Sequence, residues 1–560
     1  MLSRTARLVV RRPLLVLVGA LVIVVVCGVV GAGVIDELSP GGFEDPNAES
    51  TRAAAQLEER FGVGPPNFVL LVEAQQGTVD DPDVAEAGAA LSEDLATRAD
   101  VREVVSYWLV GRPSTLRSTN GTGALVLARI IGTESEVHER ADELVSDFTR
   151  SDDTISVSVG GSAAIAREFI ETTEEDLRRS ERVVMPLTLL LLVVVFGGVV
   201  AASLPIAIGI FAVFGALAVL YLISGLTDVS VFALNLVSGL GLGLAIDYSL
   251  FTLSRFREEL QAGYTTEEAV SRSVQIAGRT VVFSAATLVL ALAALSVFPQ
   301  FFLRSLAYAG AAVVAIAGIG AVVILPAMLR LLGPRVDKLA IVRRIPRSRG
   351  EGAWYRLATV IMRRPIPVAT LVALFLIMLA LPFRNVEFSL PDDRVLPPEA
   401  ASSQTSEEIR RSFDATGSGA LSVIAPDVDD PVALEDDIDR YATDVSALGS
   451  VARVEGPTGV YVEGQRVAPP DERAVAFRTT DAFYLSVVPS VEPMSRQGED
   501  LVADVRAQPA PFATLVAGDA AKLTDTKSVI AERLPYGAAI ILIGTVVLLF
   551  FLFGSVVAPI

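Results

Sequence analysis

The chain has 560 residues, is 52% hydrophobic and carries a formal charge of -19, with a mean hydropathy of +0.53. That balance excludes an ordinary soluble enzyme and argues against nucleic acid as a partner. A single cysteine (Cys27) and a single histidine (His138) exclude intrachain disulfides and argue against a thiolate or histidine metal centre, and no cofactor is called for.

Residues 1–13 carry Arg4, Arg7, Arg11 and Arg12, and 14–35 form an apolar run longer than a signal-peptide core, without an A-x-A site. The expectation is a retained first span with a cytoplasmic N-terminus. An acidic polar segment, 36–182, follows. Its pattern predicts a helix ending near Arg60, then a strand at 67–73, a helix at 82–98 and strands at 101–109 and 123–131. A helix at 134–149 and a strand at 154–160 complete a βαββαβ, ferredoxin-like order. A helix over 162–182 then leads into the membrane.

Five further spans are predicted at 183–202, 204–223, 229–253, 280–297 and 306–332, with a charged loop at 255–279 and a basic connection at 333–361. That connection includes Arg343, Arg344, Arg347 and Arg349. A seventh span occupies 362–382. The second polar segment, 383–535, repeats the first: a helix at 402–413, strand 420–425, helix 432–448, strand 451–455, strand 483–489, helix 494–507 and strand 513–518. Residues 456–480 read as a loop, and an eighth span begins at 536. Threading from an inside N-terminus puts both basic connections inside and both acidic segments outside, in line with the positive-inside rule. The chain therefore reads as an α-helical polytopic membrane protein with two α+β extracytoplasmic domains.

The halves match in register. Arg11-Arg12-Pro13 recurs as Arg363-Arg364-Pro365, Gly161-Ser162-Ala163 as Gly518-Asp519-Ala520, and Phe196-Gly197 as Phe553-Gly554, at offsets of 352, 357 and 357. Parallel repeats of this kind are common among transporters. The second copy ends at 560 with no counterpart of 204–332, so the expectation is a truncated chain, a fragment or a half-lost natural variant, lacking about four spans of a complete duplication.

Residues 239–256, GLGLGLAIDYSLFTLSRF, hold the candidate site. Asp247 lies about 12 Å along the helix from Arg255, inside the hydrocarbon layer, where acids are rare and tend to line ion pathways. Tyr248 follows it. Gly239 and Gly243 precede Asp247 on one helical face, and a small-xxx-small seam there would admit a packed neighbour. Ser284 is the favoured partner on the fifth span, with Thr280, Thr287 and Asn235 behind it. Arg255, Arg257, Glu258 and Glu259 read as interfacial anchors. There is no nucleotide loop and no catalytic constellation, so the drive is an ion gradient or none, and the protein is not read as an enzyme.

With GGFEDPNAES at 41–50 and GLGLAIDYSLFTLSRFREEL at 241–260, the layout resembles the mycobacterial membrane protein large (MmpL) family of the resistance–nodulation–division (RND) superfamily. The resemblance implies twelve spans, two periplasmic porter domains, and export of lipids or other amphiphiles from the inner membrane, driven by inward proton flow. It also implies Asp247 and Tyr248 as a proton-relay pair, a second such pair in a tenth span beyond this chain, and accessory envelope proteins as further partners. A non-transporting scaffold or receptor is the competing expectation, and drug efflux a third.

Overall fold

A computed structural model describes residues 2–39, 41–132, 134–338, 353–386, 389–413 and 419–554. Arg343, Arg344, Arg347 and Arg349 of the basic connection lie outside them. Among the described residues, seven helices are long and apolar enough to cross a membrane. The second span expected at 183–202 is divided between the shorter apolar end, Arg182–Phe196, of a 35-residue helix, Ser162–Phe196, and the start of the next helix at Val199.

The break between the second and third spans is not at Ser203, as the sequence suggests. Phe196 is followed by Gly197 at φ 81°, and Val199–Ser224 starts after an extended Gly198. Glycine takes the left-handed turn without a Cβ penalty, so the paired glycines set the corner. Ser203 is inside the helix and donates to the Val200 carbonyl at 2.8 Å. The predicted charged loop at 255–279 is also mostly helical. The fourth helix runs Phe232–Gln261, and the fifth, Thr266–Ala293, starts at a capping box in which Thr265 and Glu268 bond each other's main chain.

The sixth span is interrupted. Phe301–Ile319 passes through a π-helical turn at Gly320–Ile324 into Leu325–Leu332. The third to sixth spans share one buried core, and the amphipathic N-terminal helix Leu2–Arg11 lays Ala6 and Val9 onto its fifth and sixth helices. The seventh span, Pro365–Ala380, has no buried residue. The eighth is the apolar end of a second 35-residue helix, Asp519–Phe553, which rests on the fifth span, with Gly544 under Leu290.

Both polar segments fold as antiparallel sheets. The first has the strand order Val101–Ser106, Gly123–Ile130, Phe68–Ala74, Ile155–Gly160, with the short Arg150–Ser151 at its edge. Alternation in FVLLVEA puts Leu70 and Val72, both fully buried, on the face covered by the helices Pro82–Thr97 and Glu134–Phe148. The second sheet repeats this order as Val451–Gly456, Phe483–Pro489, Leu421–Ala425, Leu515–Ala517. The stretch read as a loop, 456–480, is a correction: Gly459–Val462 and Gln465–Ala468 form a hairpin that extends the sheet beside Val451–Gly456. Its Gly and Pro content marks tight turns between short strands.

The two domains exchange helices. Glu49–Phe61 leaves its own segment and packs Ala53 and Leu57 on Ile424, Tyr484 and Ala517 of the second sheet. Ala401–Ser412 lies on the first sheet, and Phe413 enters the first domain's core. Burying Leu57 and Phe413 contributes about 2 kcal/mol each. Pseudo-symmetric carboxylates fasten both crossings. Glu168 accepts from the main-chain N–H groups of Ala401 and Ser402 at 2.8 Å and from the Ser402 hydroxyl. Asp525 accepts from the Ser50 N–H at 2.8 Å. A carboxylate at a helix N-terminus satisfies orphan donors and the helix dipole together.

The crossings differ in filling. Arg506 sits in the second, on Asp525 at 2.8 Å and Glu49 at 3.0 Å. Thr149 stands at the matching place in the first, which keeps a cavity of about 360 Å³ lined by Glu73, Glu168 and Glu408. Burial, and then the neighbouring Glu408, raise the Glu73 carboxyl above the ordinary glutamate range. A raised folded-state value favours the protonated acid, so its stabilising contribution is complete below the unfolded value and is lost as pH rises through the folded one. Glu73→Gln should therefore raise the unfolding temperature at pH 7, by about 2 °C, and the gain should vanish near pH 4. Thermal unfolding followed at both pH values checks this.

Candidate proton-relay site

The fourth helix sets the geometry. Asn235, Gly239, Gly243 and Asp247, spaced four residues apart, form one stripe, and all four are exposed in this chain. Among the described residues nothing packs at Gly239 or Gly243: a Cβ built on either meets nothing within 4 Å. The close-packed glycine is Gly241, where a Cβ would stand 2.8 Å from Val213 and 3.1 Å from Val313. The sequence misled because GLGLGL offers two glycine faces, and helical period alone does not say which one meets a neighbour.

Tyr248, a third of a turn round from Asp247, points into the bundle and is 3% exposed. Its hydroxyl makes no hydrogen bond of normal geometry, and its polar neighbours are Ser284 and Asp247. The fold thus brings Asp247, Tyr248 and Ser284 together at the join of the fourth and fifth spans. Of the weaker candidates, Thr287 donates to its own helix at the Phe283 carbonyl, 2.9 Å away, Thr280 is exposed, and Asn235 stands on the open stripe.

The charged end of the fourth helix is more than an anchor. Arg255 pairs with Glu258 at 2.7 Å and with Glu259 at 2.5 Å, and Arg272 of the fifth helix approaches Glu259 at 3.7 Å. Glu259 is 3% exposed, a burial tolerable for a carboxylate only beside such cations. Arg257 donates to the Phe196 carbonyl at 2.9 Å and pairs with Asp337 at 2.6 Å, tying the corner at Gly197 to the fourth span. The sequence shows these charges but not which of them faces inward. The amphipathic spacing of Phe256 and Glu259 was the available signal.

The arrangement can hold and release a proton: it is a carboxyl in a membrane helix, with a buried phenol and a hydroxyl within reach, and among the described residues no group of three or more His, Cys, Asp or Glu that could hold a metal ion is found. Comparison with known proteins adds the family. The MMPL family model matches residues 42–368. The chain is 33% identical to a membrane protein of Streptomyces coelicolor, SCO6666, over all of this chain and 74% of that one. It is 29% identical to the trehalose monomycolate exporter MmpL3 of Mycolicibacterium smegmatis over 95% of this chain and 56% of the exporter. It is also 29% identical to the mycolic acid-containing lipids exporter MmpL11 of the same organism, over 84% of this chain and 48% of that one. The chain therefore spans about half the length of the mycobacterial exporters it matches. With its multi-pass helices, two sheet-containing domains and the match over more than half its length, the chain belongs to the MMPL family of the RND superfamily.

Proposed function

We propose that the protein exports lipids or other amphiphiles from the cell membrane toward the envelope, driven by inward proton flow. The observation that carries this reading is Asp247 inside a membrane helix beside the buried Tyr248 and the Ser284 hydroxyl, in a family whose mycobacterial members are named lipid exporters. The N-terminus and the basic connection lie in the cytoplasm, and both sheet domains lie outside as porter domains. Protonation of Asp247 removes a charge from the Asn235–Gly239–Gly243–Asp247 stripe and so changes what can pack on it.

The movement reaches the porter domains through two rigid levers. Ser162–Phe196 and Asp519–Phe553 are each unbroken helices from sheet to membrane. Each also carries the carboxylate, Glu168 or Asp525, that holds the other domain's crossing helix. Tilting either lever therefore pulls on both domains and opens or closes the cleft between them. Accessory envelope proteins would receive the substrate. Replacing Asp247 by Asn and measuring proton-coupled lipid efflux tests the reading, and efflux at the wild-type rate rejects it.

A further inference from the structure

Among the described residues, the buried hydroxyls that follow Asp247 find no hydrogen-bond partner. Ser249 is 0% and Thr252 1% exposed, and neither hydroxyl makes a hydrogen bond. A hydroxyl in a membrane helix normally falls back on a carbonyl three or four residues earlier, as Thr287 and Ser273 do here. Leaving two donors unsatisfied in a dry core is costly, and such groups are usually met by ordered water.

A second irregularity packs on the same helix. The π turn Gly320–Ile324 of the sixth span packs on the fourth helix, at a similar depth: Thr252 and Gly320 each lie about 30 Å along their own helices. Its Leu325 N–H donates back to Gly320, and the next residue, Pro326, has no N–H. One carbonyl of the turn is therefore left without its intrahelical donor. Two unpaired donors and an unpaired acceptor thus lie in one bundle core at a similar depth. Two turns beyond Thr252 on the same face is Glu259, buried and bridged to Arg255 and Arg272.

Building on the proton-driven reading above, we propose that water held between Ser249, Thr252 and the Gly320–Ile324 turn is the release path for the proton, from Asp247 past Tyr248 to the Arg255–Glu259–Arg272 cluster and the cytoplasm. Only O–H bonds change. The Asp247 carboxyl gives up its proton, each water accepts one and passes one on, and the carboxylate is left ready for the next proton from outside. Ser249 and Thr252 are positioning residues: they hold the water and do not themselves titrate.

The test uses the full chain in proteoliposomes with a trapped pH dye, recording proton passage after an imposed gradient. Thr252→Val should slow Asp247-dependent passage at least tenfold, Ser249→Ala should slow it further in the double variant, and Thr252→Ser should restore it. Thermal unfolding in detergent gives a readout that a merely structural role would not move in the same way. Valine in place of a water-bonded hydroxyl should not raise the unfolding temperature, whereas relief of a dry, unpaired hydroxyl would. Wild-type passage in the double variant, or a raised unfolding temperature in Thr252→Val, overturns the water path and leaves the function standing. Passage that Asp247→Asn leaves unchanged overturns both.

Discussion

Asp247→Asn should abolish proton-coupled export while leaving expression, membrane insertion and unfolding temperature near those of the wild type. Asparagine has the shape of the carboxyl and keeps hydrogen-bonding groups, so it mimics a permanently neutral acid. Asp247 lies on the exposed stripe of its helix, so no tight packing is lost. What goes is the change of charge, and with it the free-energy difference that protonation makes between two packings of the stripe. Tyr248→Phe should be milder. It deletes a hydroxyl whose polar neighbours are Ser284 and Asp247, and leaves the ring filling its buried place. The measurement is lipid efflux against an imposed pH gradient, with Asp228→Asn, at the helix-helix turn, as the control. Export by Asp247→Asn at more than about a tenth of the wild-type rate would show that the charge is not the coupling element.

Asp525→Ala should be the most destabilising single change in the porter region. Asp525 is 8% exposed and accepts from both terminal nitrogens of Arg506, at 2.8 and 3.1 Å, and from the Ser50 N–H. Removing it strands a largely buried guanidinium and a helix-terminal donor at once. Breaking such a pair costs about 3 kcal/mol, somewhat less than a fully isolated one because Glu49 still faces Arg506 at 3.0 Å. The loss should appear as earlier denaturant unfolding of the second porter domain and faster protease cutting near Glu49–Phe61, whose dock is weakened. Arg440→Ala, which breaks only the exposed pair with Asp437, should cost less than about 0.5 kcal/mol. An Asp525→Ala protein that unfolds with Arg440→Ala would mean that the crossing is held by its apolar contacts alone.

Much of the layout was legible in the sequence. Long apolar runs can only be helices in lipid, because no other element satisfies its own backbone there, and so most spans could be read off. Alternation in FVLLVEA and its kin gave the sheet strands, since the pleat has a period of two residues. Local rules failed where two signals of equal strength competed. Ser203 and Gly197–Gly198 both punctuate an apolar run, and the left-handed glycine won. The Gly- and Pro-rich stretch at 456–480 held short strands, because an existing sheet edge supplied their hydrogen bonds.

Length, period and composition alone established a chain of many membrane-spanning helices, two repeated sheet domains and an acid at mid-helix. Which glycine is packed, which carboxylates hold which domain, and that the Ser249 and Thr252 hydroxyls are buried without partners became visible only in the folded chain. Such facts depend on contacts between residues hundreds of positions apart, or on which side of a helix its neighbours take, and no periodicity within one segment encodes either.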